Sequence, residues 1–224
     1  MTLWDELDLS ATVRELKRAI SLSPSFSRAH SDYAFFLEDL CRPEEALVEF
    51  SLAEGADPFW SQPVTHSANL LIWLGRFDEA LVKIDRLREL KNPEGDLRDV
   101  LAEYYLGKGN LEQALRELRM GLDELELPPS RILFRAYYLA LSGDKESAKE
   151  LLRSDPKLSD YGQCAHHMAE IYAEMGELDE CLRLMYKALD QKNLPIAPYR
   201  LDPRMQRVRE DPRFDRILKR VHLA

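Results

Sequence analysis

The chain has 224 residues, 45% hydrophobic and 32% charged, a composition that excludes a disordered tail and allows one elongated array or one to two compact domains. Its formal charge of −9 is uneven: residues 200–224 carry eight Lys/Arg against four Asp/Glu, which leaves −13 on the rest, an acidic body that argues against general binding to nucleic-acid phosphates. No apolar run approaches the length of about 18 residues that a membrane span needs, and the acidic start MTLWDELDLS lacks the basic flank and apolar core of a secretion signal.

In chain order, MTLWDEL is too short to form a helix of a paired unit. Trp4 and Leu7 are expected to fold over the first helix as a partial cap, the other reading being a fragment whose upstream unit is missing. Residues 12–24, TVRELKRAISLSP, read as a helix closed by Pro24. A short phrase then recurs: CRPEEAL (41–47), GRFDEAL (75–81), GNLEQAL (109–115), GDKESAK (143–149) and GELDECL (176–182).

Each copy has the same physical content. A small residue allows a left-handed turn as one helix ends: Cys41, Gly75, Gly109, Gly143 or Gly176. Acidic residues follow, where the first turn of a new helix favours them. Ala34, Ala68, Ala102, Ala136 and Ala169 lie seven residues before the turns, at spacings of 34, 34, 34 and 33. Ala46, Ala80, Ala114, Ala148 and Cys181 lie five residues after them. The two small-residue sets face each other across a helix pair. Bulky residues fill the space beside them: Leu37, Leu71, Tyr105, Leu139 and Tyr172 on the first helices, and Phe50, Ile84, Leu118, Leu152 and Met185 on the second.

A 34-residue helical pair with small residues at two fixed places and a proline near its end is the pattern of the tetratricopeptide repeat, which this chain resembles over nearly its full length. The resemblance implies an all-α, right-handed α-solenoid of stacked antiparallel helix pairs, about 12–14 helices in one domain. It divides the chain into a half repeat at 12–24, full repeats at 27–60, 61–94, 95–128, 129–161 and 162–195, and a C-terminal cap at 200–224. Where the family has a large aromatic early in the first helix, this chain has His30, Val64, Arg98, Ile132 and Ala165. Lys149 and Asp155 replace apolar residues in the 129–161 unit, so its second helix is expected to be short and to end near RSDP. Helices there are expected to start after Pro128–Pro129 and after Pro156.

The ending LDPRMQRVREDPRFDRILKRVHLA holds two Asp-Pro helix starts and an apolar stripe of Met205, Val208, Phe214, Ile217, Leu218 and Val221. A capping helix over the last repeat is the expected role, ahead of a membrane-surface or nucleic-acid patch. The ending also resembles the tail of tetratricopeptide modules in bacterial signalling and regulatory proteins.

No catalytic constellation is present: no phosphate-binding glycine loop, no HExxH and no nucleophile elbow. Cys164, His166, His167 and Cys181 lack convincing zinc-site spacing, and Cys181 takes a small-residue core place. No cofactor and no metal are expected. The three cysteines fit a reduced, cytoplasmic setting.

By the resemblance, the first helices line a concave groove. The candidate partner-binding residues there are Asp32, Phe35, Glu38, Asp39, His66, Asn69, Trp73, Asp96, Asp99, Glu103, Phe134, Tyr137, His167 and Glu170. Acids form a band and aromatics supply anchors. The family's clamp for chaperone C-terminal carboxylates needs Lys and Asn, and only Asn69 matches. The expected function is a non-catalytic protein–protein interaction module, an adaptor or a sensing domain. Its partner is a protein or peptide segment rich in Lys/Arg with apolar anchors, not nucleic acid and not a membrane. The alternative is a small-molecule or short-peptide sensor that uses an aromatic pocket.

Overall fold

Fourteen α-helices and two short 3-10 turns make up the regular structure of the described residues, and none of these residues forms a strand. The computed structural model describes residues 9–90, 94–124, 128–160, 164–191, 194–221 and 223, with the side chains of 9–12, 94–96, 122–124 and 128–131 left out. Trp4 and Leu7 therefore lie outside the described residues.

The helices are α1 (Leu9–Leu22), α2 (Ser27–Asp39), α3 (Pro43–Ala56), α4 (Ser61–Trp73), α5 (Phe77–Glu89), α6 (Glu94–Gly107) and α7 (Leu111–Glu124). They continue with α8 (Pro128–Leu141), α9 (Lys145–Arg153), α10 (Cys164–Glu174), α11 (Leu178–Asp190), α12 (Ala197–Leu201), α13 (Gln206–Arg209) and α14 (Pro212–Arg220). The 3-10 turns are Leu158–Asp160 and Pro203–Met205. The chain is an all-α solenoid: α2 packs on α3, α4 on α5, α6 on α7, α8 on α9 and α10 on α11, with neighbouring pairs stacked.

The recurring phrase makes the joints. At each one, the residue after the helix is left-handed, with φ of 71° at Gly75, 72° at Gly109, 91° at Gly143 and 78° at Gly176. Two backbone bonds close the turn. At the first joint Arg42 N–H donates to the Leu37 carbonyl and Cys41 N–H to the Glu38 carbonyl, and the other four joints repeat this pair. Cys41 holds φ 55° with a side chain that disfavours it. Cys41→Gly is expected to raise stability by about 0.5–1 kcal/mol, the steric relief being partly offset by the freer unfolded chain. An unchanged or lower urea midpoint would contradict this.

Both small-residue sets are fully buried, from Ala34 to Ala169 and from Ala46 to Cys181. A larger side chain at these places would hold the paired helices apart. Phe50, Ile84, Leu118, Leu152 and Met185 fill the interior beside them and are also fully buried.

In the 129–161 stretch, α8 begins at Pro128 itself, and α9 is short and stops at Arg153. The Asp144 side chain caps α9 by accepting from Ser147 N–H at 3.2 Å. Lys149, polar where an apolar residue is usual, pairs with Glu177 at 2.6 Å. After Pro156 the described residues make the 3-10 turn Leu158–Asp160, and α10 begins at Cys164.

The C-terminal region serves two purposes. Helices α13 and α14 contact α11, with Val208, Phe214, Ile217 and Val221 buried. Residues 194–205 instead cross the concave side, and α12 contacts α4. Of the three prolines there, Pro198 sits in the first turn of α12, where proline is tolerated, while Pro195 before the helix and Pro203 after it keep it short.

Candidate functional site

The first helices of successive pairs, α2, α4, α6, α8 and α10, form the walls of a groove, and residues 194–205 form part of its lining. The space they enclose measures about 810 Å³. Thirteen of the fourteen groove residues named from the sequence line it; the fourteenth, Asp96, lies outside the described side chains. Helical spacing explains the grouping, since residues three and four apart project from one face.

The strap of residues 194–205 is anchored at both ends. At one end, Asp39 Oδ1 accepts hydrogen bonds from the backbone N–H groups of Ile196 (2.8 Å) and Ala197 (2.9 Å). Leu201 packs against the cluster that contains Tyr33 and Phe50. At the other end, the half-buried guanidinium of Arg204 reaches Asp202 at 2.6 Å, Glu174 at 3.3 Å and Glu103. Arg204 also donates to the Tyr137 hydroxyl at 2.9 Å, and that hydroxyl donates to Glu103 at 2.9 Å. Arg204 thus joins α6, α8 and α10.

The groove charges are strongly perturbed. Burial pushes Glu174 up to about 7 against the pull of Arg204, and burial likewise raises Glu103. Glu38 is raised well above the carboxylate range, first by burial and then by neighbouring Asp39. Asp39 is raised to about 6 by burial, although the two backbone N–H groups and Arg200 oppose the shift. His66 is half-buried in the groove wall, where desolvation lowers it to about 4, so it is neutral at pH 7, and its ring stands edge-on to Phe35 at 4.4 Å.

The Asp39 shift has a measurable sign. Between pH 4 and 6 the folded chain keeps the Asp39 proton while the unfolded chain releases it. Wild type therefore loses stability relative to Asp39→Asn as pH rises through this window, and the loss is complete above about 6. A shift of this size corresponds to at most about 3 kcal/mol, less to the extent that cavity water reaches the carboxylate. Urea melts of both proteins at pH 4.5 and 7.5 check this; the same offset at both values would contradict it.

The aromatics hold different positions from one another. Phe35 packs edge-on to Phe50 at 5.4 Å. Phe134 lies against Gly121, where an added Cβ would come within 2.7 Å of the ring. Trp73 borders both the cavity and the Tyr33 cluster. Tyr137 is occupied by its two hydrogen bonds.

Among the described residues, His166, His167 and Glu170 place ligand atoms within 4.8 Å of one another, the one grouping there that could hold a metal ion. These groups already interact. His166 Nδ1 lies 3.1 Å from the Tyr199 hydroxyl, and His167 Nδ1 lies 3.3 Å from Glu170. Burial lowers His166 to about 4; in His167 burial is outweighed by Glu170, which raises it.

Sequence reasoning missed Asp202 and Arg204, and the strap as a whole. A visible signal was the basic stretch 200–204 in a chain whose groove places are acidic.

A family model described as tetratricopeptide repeat matches residues 97–120 and 162–185. Among solved structures, a thermophilic TPR protein of Thermus thermophilus, TTC0263, is similar at 28% identity and TM-score 0.53, over 74% of this chain and 91% of that one. PilF of Pseudomonas aeruginosa is similar at 16% identity and TM-score 0.49, over 92% and 93%. YrrB, a TPR protein with an unusual peptide-binding site, is similar at 18% identity and TM-score 0.45, over 83% and 96%. No curated protein matches the sequence.

Proposed function

We propose, from the premise that the chain is a tetratricopeptide-repeat protein, that it is a non-catalytic adaptor or sensing module whose concave groove holds a partner segment of basic and apolar character. The repeat fold supports a protein–protein interaction scaffold in general. The observation that carries the finer reading is the strap: the groove already accommodates a short non-repeat segment, takes its backbone N–H groups on Asp39 and its arginine on Glu103 and Glu174. The same chemistry suits a partner segment beside it, with Trp73 and Phe35 for apolar side chains. The size of the cavity, about 810 Å³, favours a second reading, in which it takes a small molecule or a short peptide.

No described helix is long and apolar enough to cross a membrane. The acidic groove favours a protein over a nucleic acid.

Affinity capture with mass spectrometry would supply the partner, and its affinity for variants would then be measured at two salt concentrations. Trp73→Ala is expected to weaken binding about 30-fold at both, the equivalent of about 2 kcal/mol. Asp32→Asn combined with Asp99→Asn is expected to weaken it mainly at low salt, because exposed charges steer more than they hold. If these variants bind as wild type does and changes on α3 and α5 abolish binding, the groove reading is wrong.

A further inference from the structure

Where α2 meets α4, the cavity wall holds polar groups that the fold does not satisfy. The Glu38 side chain faces the cavity and the residue is only 5% exposed, yet its Oε1 has no hydrogen-bond partner. Asn69 on α4 also lines the cavity, and its buried Oδ1 has no partner either. Both backbone bonds to Asp39 fall on Oδ1. The cavity-lining arginines are committed to other acids, Arg28 to Asp32 at 3.0 Å and Arg204 to its own cluster.

Leaving a carboxylate buried and unpaired is costly, and natural proteins rarely do so without a use. With Glu38 ionised, the groups offered here are all acceptors, two carboxylates and an amide oxygen. A guest that satisfies them brings several N–H donors and a positive charge. A primary ammonium has three donors on a compact centre, whereas a guanidinium spreads five across a plane. Phe35 and Trp73 border the same cavity and present apolar surface to an alkyl stem.

We propose that the α2–α4 end of the cavity is a binding site for a primary ammonium on an alkyl stem, the lysine side chain of a partner segment, held by Glu38, Asp39 and Asn69. This rests on the groove reading above and gives that reading a specific anchor. A bound ammonium favours the ionised form of Glu38, which burial alone disfavours, and supplies its Oε1 with a donor.

The probe is Nα-acetyl-lysine amide, titrated calorimetrically into the full chain at low salt and pH 8. Saturable binding is expected, with no binding of the norleucine analogue, which keeps the stem and lacks the charge. The arginine analogue is expected to bind at least tenfold more weakly than the lysine one. Glu38→Gln preserves shape and should weaken lysine-amide binding at least tenfold, while Glu112→Gln, a charge change on exposed α7, should leave it unchanged. Asn69→Leu gives a second variant should Glu38→Gln fold poorly, with the same loss expected. The proposal is overturned if lysine amide does not bind, if Glu38→Gln and Asn69→Leu bind it as wild type does, or if Mg2+ or Ca2+ alone displaces it at equal concentration. A captured partner that loses affinity with Trp73→Ala but not with Glu38→Gln leaves the groove reading standing and removes the ammonium site. Lysine-amide binding through Glu38 with no protein partner held in the groove does the reverse.

Discussion

Arg204→Met is expected to lower folding stability by about 3–5 kcal/mol near pH 7.5, because it leaves buried carboxylates without their cation. Glu103, Asp202 and Glu174 all surround this one guanidinium, and Tyr137 accepts from it. The acids have a partial escape: Glu174 stands at about 7 and Glu103 is raised, both by burial, so they take up protons as pH falls. The loss should therefore shrink at pH 5.5. Adding Glu103→Gln to Arg204→Met removes one of the stranded charges and should restore part of the stability, a non-additivity expected for groups in one network. Urea unfolding of the single and double variants at both pH values tests this. A single-variant loss under about 1 kcal/mol would mean that the cluster is a solvated surface pairing.

Deleting residues 200–224 is expected to do still more. The deletion removes Met205, Val208, Phe214, Ile217 and Val221, all buried, and exposes the apolar face of α11 that they cover. Burial of each such side chain contributes about 1.5–3 kcal/mol, so together they rival the whole stability of an ordinary domain, about 5–15 kcal/mol. The truncated chain should lose its cooperative melt in the α10–α11 region and associate through the exposed face, as an uncapped array does. Thermal melting and size-exclusion chromatography at several concentrations measure both effects. A monomer with an unchanged melting temperature would show that α13 and α14 do not stabilise the array.

The joints and the core were legible in the sequence because each rests on local physics repeated at a fixed spacing. Gly75 needs its left-handed turn within a few residues, and Ala68 and Ala80 must both be small for one helix pair to close. The lining of the groove came from the family resemblance laid on that register, and Phe35, Asn69, Glu103 and Tyr137 meet at one cavity. The strap was not legible. The bond from Ile196 N–H to Asp39 spans 157 residues and belongs to no period. Read by pattern, Arg204 belonged to the polar face of a cap helix. In three dimensions it lies against Glu103, an acid that the same pattern had assigned to a partner. Tyr137 likewise read as an anchor for a guest, while its hydroxyl is bonded within the chain.

The strap also bears on mechanics. In an open array each repeat meets only its neighbours, so the whole extends and flexes as a spring, with compliance adding along its length. Here Asp39 on α2 is joined to Ile196 and Ala197, and a few residues on Arg204 is joined to α6, α8 and α10. The strap acts as a stay across the coil. Stretching the superhelix loads these polar contacts in parallel with the helix packing, and they resist changes of pitch until they break. The strap's hold on α2 combines the two bonds to Asp39, the Arg200 donation to the Asp39 carbonyl at 3.5 Å and the packing of Leu201. Once they part, the coil recovers its compliance at the α2 end.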